Sequence, residues 1–165
     1  MRSLRLLPLA VLAAAPLATL GAAEAKTSHA GWPTIDGALK INKSDRDKVT
    51  RGLAARHNEL LGGHGDDTIV AGDAGDVIWG DYKPSGQPTT QVDHLDGGAG
   101  DDFIYASHGL NYIDTGAGSD TVHAHFGRGE IRCGSARTIV FISHRSRPGY
   151  RLVGCRRISY RTLGY

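Results

Sequence analysis

The chain has 165 residues, a formal net charge of +2 and two Cys. That length allows one domain with a core of modest size, and the small net charge excludes a protein that is basic or acidic throughout. The charge is nevertheless segregated: Gly62 to Val122 holds eleven Asp, no Glu and Lys83 as the sole Lys or Arg, whereas Ile131 to the end holds eight Arg and no acid.

At the start of the chain, Arg2 and Arg5 precede the Pro-broken apolar run LLPLAVLAAAPLATL, and small residues follow at GAAEA. This is the pattern of a secretory signal peptide over residues 1–25, cleaved after Ala23 or Ala25. The run is too short and too interrupted to anchor in a membrane, so no membrane span is expected once it is removed. The chain is therefore expected to be secreted. In an extracellular setting Cys133 and Cys155, an even pair outside any C-x-x-C, are expected to form a disulfide. Residues 26–57 mix charge with few core residues. The stretch GWPTIDGALKIN, 31–42, reads as an initial strand pair that covers one end of the fold, with Trp32 as a plug.

From Gly62 the sequence divides into nines: GGHGDDTIV, AGDAGDVIW, a longer unit from Gly80 to Asp96, then GGAGDDFIY, ASHGLNYID, TGAGSDTVH, AHFGRGEIR and CGSARTIVF. The long unit carries the insertion KPSGQPTT, 83–90. The eighth place is held by Ile69, Ile78, Leu95, Ile104, Ile113, Val122, Ile131 and Val140, all aliphatic. Such regularity fixes the register of a tandem repeat. Each unit reads as six turn-forming residues and a three-residue strand whose central side chain points inward. Stacked units form two narrow parallel sheets around a thin aliphatic core. No helical period is present. The Asp-only acidity points to hard oxygen ligands held in tight turns. The alternative is a solenoid whose Asp residues merely cap turns, which leaves the Asp excess over a single Lys without a reason.

The pattern G-G-x-G-x-D-x-aliphatic-x resembles the hemolysin-type, or RTX, calcium-binding nonapeptide. Gly62–Val70 and Gly97–Tyr105 match it at every place, and TGAGSDTVH misses by one. The resemblance implies an all-β fold, a right-handed parallel β-roll (a β-solenoid) of about four coils over residues 58–141. It implies two nonapeptides per coil, with calcium between turns stacked on one edge. Sorting the sixth places by edge gives Asp76, Asp102, Asp120 and Thr138 on one side, and Asp67, Asp93, Asn111 and Gly129 on the other. Two calcium sites are expected, Asp76/Asp102 and Asp102/Asp120, with the turn residues Gly72, Asp73, Gly98 and Gly116 beside them. Asp67/Asp93 is left as an open third pair next to the insertion. Glycines at places one, two and four are expected to supply positive φ, turning carbonyls toward the ion.

Residues 142–165 read as a disulfide-linked C-terminal cap. A return strand at Tyr150 to Val153 would bring Cys155 back to Cys133. This segment looks like the end of short secreted RTX-repeat proteins, in which a CG unit precedes a basic segment and a second Cys. Its Arg residues lack the aromatic interleaving of a nucleic-acid surface, so no nucleic-acid partner is expected. His64, His108, His123 and His125 lack zinc-ligand spacing and are expected to be exposed turn residues. There is no G-x-S-x-G, no H-E-x-x-H and no phosphate loop, so an enzyme is not expected. The reading is a secreted protein whose folding is driven by calcium. Its alternative is an adhesive module for a cell-surface or wall polymer, with calcium only structural and the insertion KPSGQPTT together with Trp79, Phe103, Tyr105 and Tyr112 as the contact face.

Overall fold

The computed structural model describes residues 31–82 and 88–161. The expected signal peptide, 1–25, and most of the insertion lie outside these described residues.

Strands of three to five residues bury nothing alone, so the fold is built by stacking. Strands β1 (Leu39–Ile41), β3 (Glu59–Leu61), β5 (Val77–Trp79), β7 (Phe103–Tyr105), β9 (Thr121–Ala124), β11 (Ile139–Ile142) and β13 (Arg157–Ser159) form one sheet in that order. Strands β2 (Lys48–Arg51), β4 (Asp67–Val70), β6 (Val92–Asp96), β8 (Leu110–Asp114), β10 (Arg128–Arg132) and β12 (Tyr150–Val153) form the other. Every pairing between these strands is parallel. The chain alternates between sheets at each unit, which makes the protein a parallel β-solenoid. No α-helix occurs among the described residues; a 3₁₀ turn at Arg147–Gly149 leads into β12.

The register follows the eighth places. Ile78 pairs with Ile104, Ile104 with Val122 and Val122 with Val140 in one sheet; Ile69, Leu95, Ile113 and Ile131 run likewise in the other. All eight are buried, at 2 % exposure or less, and meet in one core with Leu60. Removing each such side chain from water stabilises the fold by about 1.5–3 kcal/mol. A slip of one residue would turn the whole aliphatic column to solvent.

The roll has about six turns instead of the expected four. The stacking runs past the Gly/Asp signature at both ends, because a strand needs only parallel backbone partners and an inward side chain. Upstream, Leu60 and Thr50 take the inward place and are buried. Downstream, Leu152 pairs with Ile131 and Ile158 with Val140. The segment Tyr150–Val153 is the expected strand; it crosses to the opposite sheet and stacks on β10. The next turn then brings Cys155 to Cys133, and the two form a disulfide.

Trp32 is buried but does not plug the end of the core. It belongs to a separate cluster with Val77 and Tyr105 on the outer face of the seven-stranded sheet, where its Nε1–H donates to Tyr105 Oη at 2.9 Å. The surface that it covers is a ladder of ninth-place rings. Trp79 stacks on Tyr105 at 3.9 Å between centroids, Tyr105 on His123 at 4.6 Å and His123 on Phe141 at 5.3 Å.

Candidate metal centre

Because successive turns on one edge belong to every second unit, parallel register brings sixth-place residues into columns. Val77 pairs with Phe103 and Phe103 with Thr121, which sets Asp76, Asp102 and Asp120 one above another. On the opposite edge Thr68 pairs with His94, and Asp93 with Asn111, setting Asp67, Asp93 and Asn111 in line. All five Asp residues are buried, at 1 % exposure or less.

The inward carboxylates are tied together through the backbone. The N–H of Asp76 donates to Asp102 Oδ1 at 2.7 Å, and the N–H of Asp102 to Asp120 Oδ1 at 3.2 Å. On the other edge the N–H of Asp67 donates to Asp93 Oδ1 at 3.0 Å. Most second oxygens are also engaged. Asp76 Oδ2 accepts from Gly72 N at 2.6 Å, Asp67 Oδ2 from Gly63 N at 2.8 Å, and Asp120 Oδ2 from Thr138 Oγ1 at 2.8 Å.

Asp102 breaks the pattern. Its Oδ2 is buried without a hydrogen-bond partner. The donor that would correspond to Gly72 N is Gly98 N, which is instead bound to Asp96 Oδ1 at 3.0 Å. A buried acceptor with no donor costs about 1–3 kcal/mol, more when charged. Burial, aided by the neighbouring Asp120 and Asp76, pushes the Asp102 carboxyl up to about 8. Burial likewise lifts Asp93 to about 7 and raises Asp67.

Glycine shapes the space beside the orphaned oxygen. A Cβ on Gly97 would stand 2.6 Å from the Thr115 carbonyl oxygen and 2.8 Å from Asp102 Oδ2. The hollow at this first place therefore depends on the missing side chain, and its walls are a carbonyl and a carboxylate oxygen. First-place Gly62 repeats the arrangement with Gly80 O and Asp67 Oδ2 at 2.0 and 2.9 Å. Neither first-place glycine has positive φ; that property belongs to Gly98 and Gly116 at place two and Gly65, Gly100 and Gly118 at place four. At place one, glycine is needed for close approach.

An orphaned buried carboxylate oxygen beside a backbone carbonyl oxygen fits a hard divalent cation such as calcium. Asp102, with Asp76 and Asp120 on either side, is where the fit is best. Gly72, Gly98 and Gly116 lie in the same column of turns: Ala99 N donates to Gly72 O and Ala117 N to Gly98 O. Asp73 is exposed on its turn.

The fifth-place acids have a different task, one that the sequence alone did not reveal. Asp66 Oδ1 accepts from Val92 N at 2.7 Å and Asp101 Oδ1 from Ser119 N at 2.7 Å, each reaching forward to the next turn on its edge. In a GDD turn the first carboxylate is thus a strut between turns and the second points inward.

The histidines depart from expectation. His123 and His125 are buried, and burial drives His123 down to about 4. The ring of His123 continues the outer aromatic ladder, where a neutral imidazole stacks as an arene does. No group of three or more His, Cys, Asp or Glu side chains converges as a ready-made metal cluster among the described residues. Carboxylate oxygens instead lie beside backbone carbonyls, Asp102 Oδ2 with Thr115 O at Gly97 and Asp67 Oδ2 with Gly80 O at Gly62.

Residues 55–81 and 89–122 match the family model described as the RTX calcium-binding nonapeptide repeat, in four copies. No curated protein and no solved structure matches the chain significantly.

Proposed function

We propose, for a chain built on RTX calcium-binding nonapeptide repeats, that calcium bound between stacked Asp turns drives the folding of a secreted, non-enzymatic β-roll. The observation that carries the reading is Asp102: fully buried, with one oxygen lacking a donor, in a column with two further buried carboxylates. Without a cation Asp102 must either hold a proton at neutral pH or carry a buried charge beside its acidic neighbours. Calcium neutralises that charge and supplies the missing partner, so its binding free energy becomes folding free energy. Affinity is expected in the range of extracellular modules, on the order of 0.1–1 mM. Asp102 is shared by both predicted sites, Asp76/Asp102 and Asp102/Asp120, so binding is expected to be cooperative. The buried Asp67/Asp93 pair supports a third site on the opposite edge.

Secretion is supported by the N-terminal sequence pattern and by the Cys133–Cys155 disulfide. It predicts a mature extracellular protein beginning at Glu24 or Lys26. The adhesive alternative has less support. Trp79 and Tyr105 are stacked beneath Trp32, and Tyr112 lies on the other sheet, so these rings make no single contact face.

The test is circular dichroism and urea unfolding of the mature chain in EGTA, in millimolar calcium and in millimolar magnesium. Calcium is expected to raise the unfolding midpoint and magnesium to do so far less. Equal midpoints in EGTA and calcium would sink the proposal.

A further inference from the structure

Each acid column ends on neutral hydrogen-bond donors. On the first edge Asn58 precedes Asp76, and Thr138 follows Asp120. On the second, Asn42 donates from Nδ2 to Asp67 Oδ1 at 3.0 Å, and Asn111 follows Asp93. Asn58 and Asn111 are fully buried, and their amide nitrogens occupy unusual positions. Asn58 Nδ2 lies 2.7 Å from Arg56 O, 2.8 Å from Asp76 Oδ1 and 3.0 Å from Leu53 O. Asn111 Nδ2 lies 3.1 Å from Ser107 O, 3.2 Å from Gly109 O and 3.2 Å from Tyr150 Oη. In both places a nitrogen with two hydrogens faces three converging oxygens.

Converging oxygens need positive charge at their focus. In the Asp turns the sixth-place side chain adds more oxygen and brings no donor, so the demand falls on a cation. An amide of the same size and shape brings an NH₂ dipole instead, and its oxygen still serves the turn. Asn111 Oδ1 accepts from Ser107 N at 2.9 Å, four residues back, as Asp76 Oδ2 does from Gly72 N. Asn58 Oδ1 accepts from Leu53 N and from Ala38 N of the preceding turn.

We infer that the side-chain amides of Asn58 and Asn111 stand in for the cation in their own turns. The inference rests on the calcium reading above. These two turns are closed without metal, and they set the length of each calcium array: three acids on one edge, two on the other. The amide-closed turns also leave the ends of the Asp columns templated before any ion arrives.

The test is calcium stoichiometry by equilibrium dialysis, together with urea unfolding in EGTA, on the full mature chain and on Asn58→Asp, Asn111→Asp and Asn58→Ala. Each Asn→Asp change adds an oxygen and removes the donor. Both are expected to lower the calcium-free midpoint and to bind one further ion, with the midpoint recovering in calcium. Asn58→Ala removes donor and acceptor together; it is expected to lower the midpoint with and without calcium and to bind no more ions than the parent. If neither Asp variant gains an ion in calcium, folded or not, the inference fails. If Asn58→Ala gains one, it also fails, because the carbonyls alone would then make the site. A parent chain that binds no calcium removes the underlying reading instead, a result separate from either of these.

Discussion

Replacing Asp102 with Asn should change stability in opposite directions with and without calcium. In the calcium-free roll this carboxyl is held up to about 8 by burial and by its acidic neighbours, against an ordinary value of about 3.9 in the unfolded chain. Between those two values the folded state keeps a proton that the unfolded state has lost. Stability therefore falls as pH rises through about 4 to 8, by about 1.4 kcal/mol per pH unit. At pH 7.4 the full span corresponds to a ceiling of roughly 5 kcal/mol. Asn has the same shape and cannot ionise, and its Oδ1 can still accept from Asp76 N. Its Nδ2 takes the place of the orphaned Oδ2, beside the Thr115 carbonyl that lines the Gly97 hollow. Allowing for relaxation around the charge, Asp102→Asn should stabilise the calcium-free protein by about 2 kcal/mol at pH 7.4. In millimolar calcium the same change would remove the ligand that the two proposed sites share, so the variant should lose most of any stabilisation that calcium gives the parent. The assay is urea unfolding in EGTA and in calcium at pH 5 and pH 7.4, and the calcium-free gain should shrink at pH 5. A variant destabilised equally in both media would refute the reasoning, as would one that calcium stabilises as strongly as the parent.

Gly97→Ala places a methyl 2.6 Å from the Thr115 carbonyl; it should cost about 1–3 kcal/mol and weaken calcium binding, read as a higher midpoint in a calcium titration. His123→Phe tests the ladder: with the imidazole held down at about 4, the unfolded chain takes up a proton first as pH falls below about 6.5, so stability is lost from there to about 4. The Phe variant, measured by thermal unfolding, should lack this acid-side loss and match or exceed the parent at pH 5; a larger acid-side loss would contradict the assignment.

The core was legible because its signal is redundant. Eight aliphatics in one register mark the repeat, and the edge columns follow once two units are given to each coil, as the resemblance implies. The ends were harder, because past the Gly/Asp signature the strands persist through residues such as Thr50 and Leu152, which taken singly suit many structures. The aromatic ladder was in principle readable: the ninth places sorted by edge are Trp79, Tyr105, His123 and Phe141. That one sorting step would have placed His123 inside a stack instead of on an exposed turn. Asn58 opens NELL, which copies the second half of a unit, but its role was not legible there. Sequence shows that a position is polar, not whether its partners are donors or acceptors, and at Asn58 the partners decide everything.

The same distinction explains the adjacent acids of GDDTIV and GDDFIY. Side by side they suggest mutual repulsion, yet successive residues of an extended segment point to opposite sides. The fifth-place carboxylate turns outward, stays exposed at Asp66 and Asp101, and accepts a backbone N–H from the next turn. That bond needs no ion and should survive chelation. The sixth-place carboxylate turns inward, where water cannot reach and donors run short, and at Asp102 they run out. On the proposed reading, calcium is thus needed by one acid of each pair only. Removing it should leave the struts and the amide-closed turns in place while Asp102 is left without a partner for its buried oxygen. On that reading the ion's contribution is concentrated where Asp102 lacks a partner.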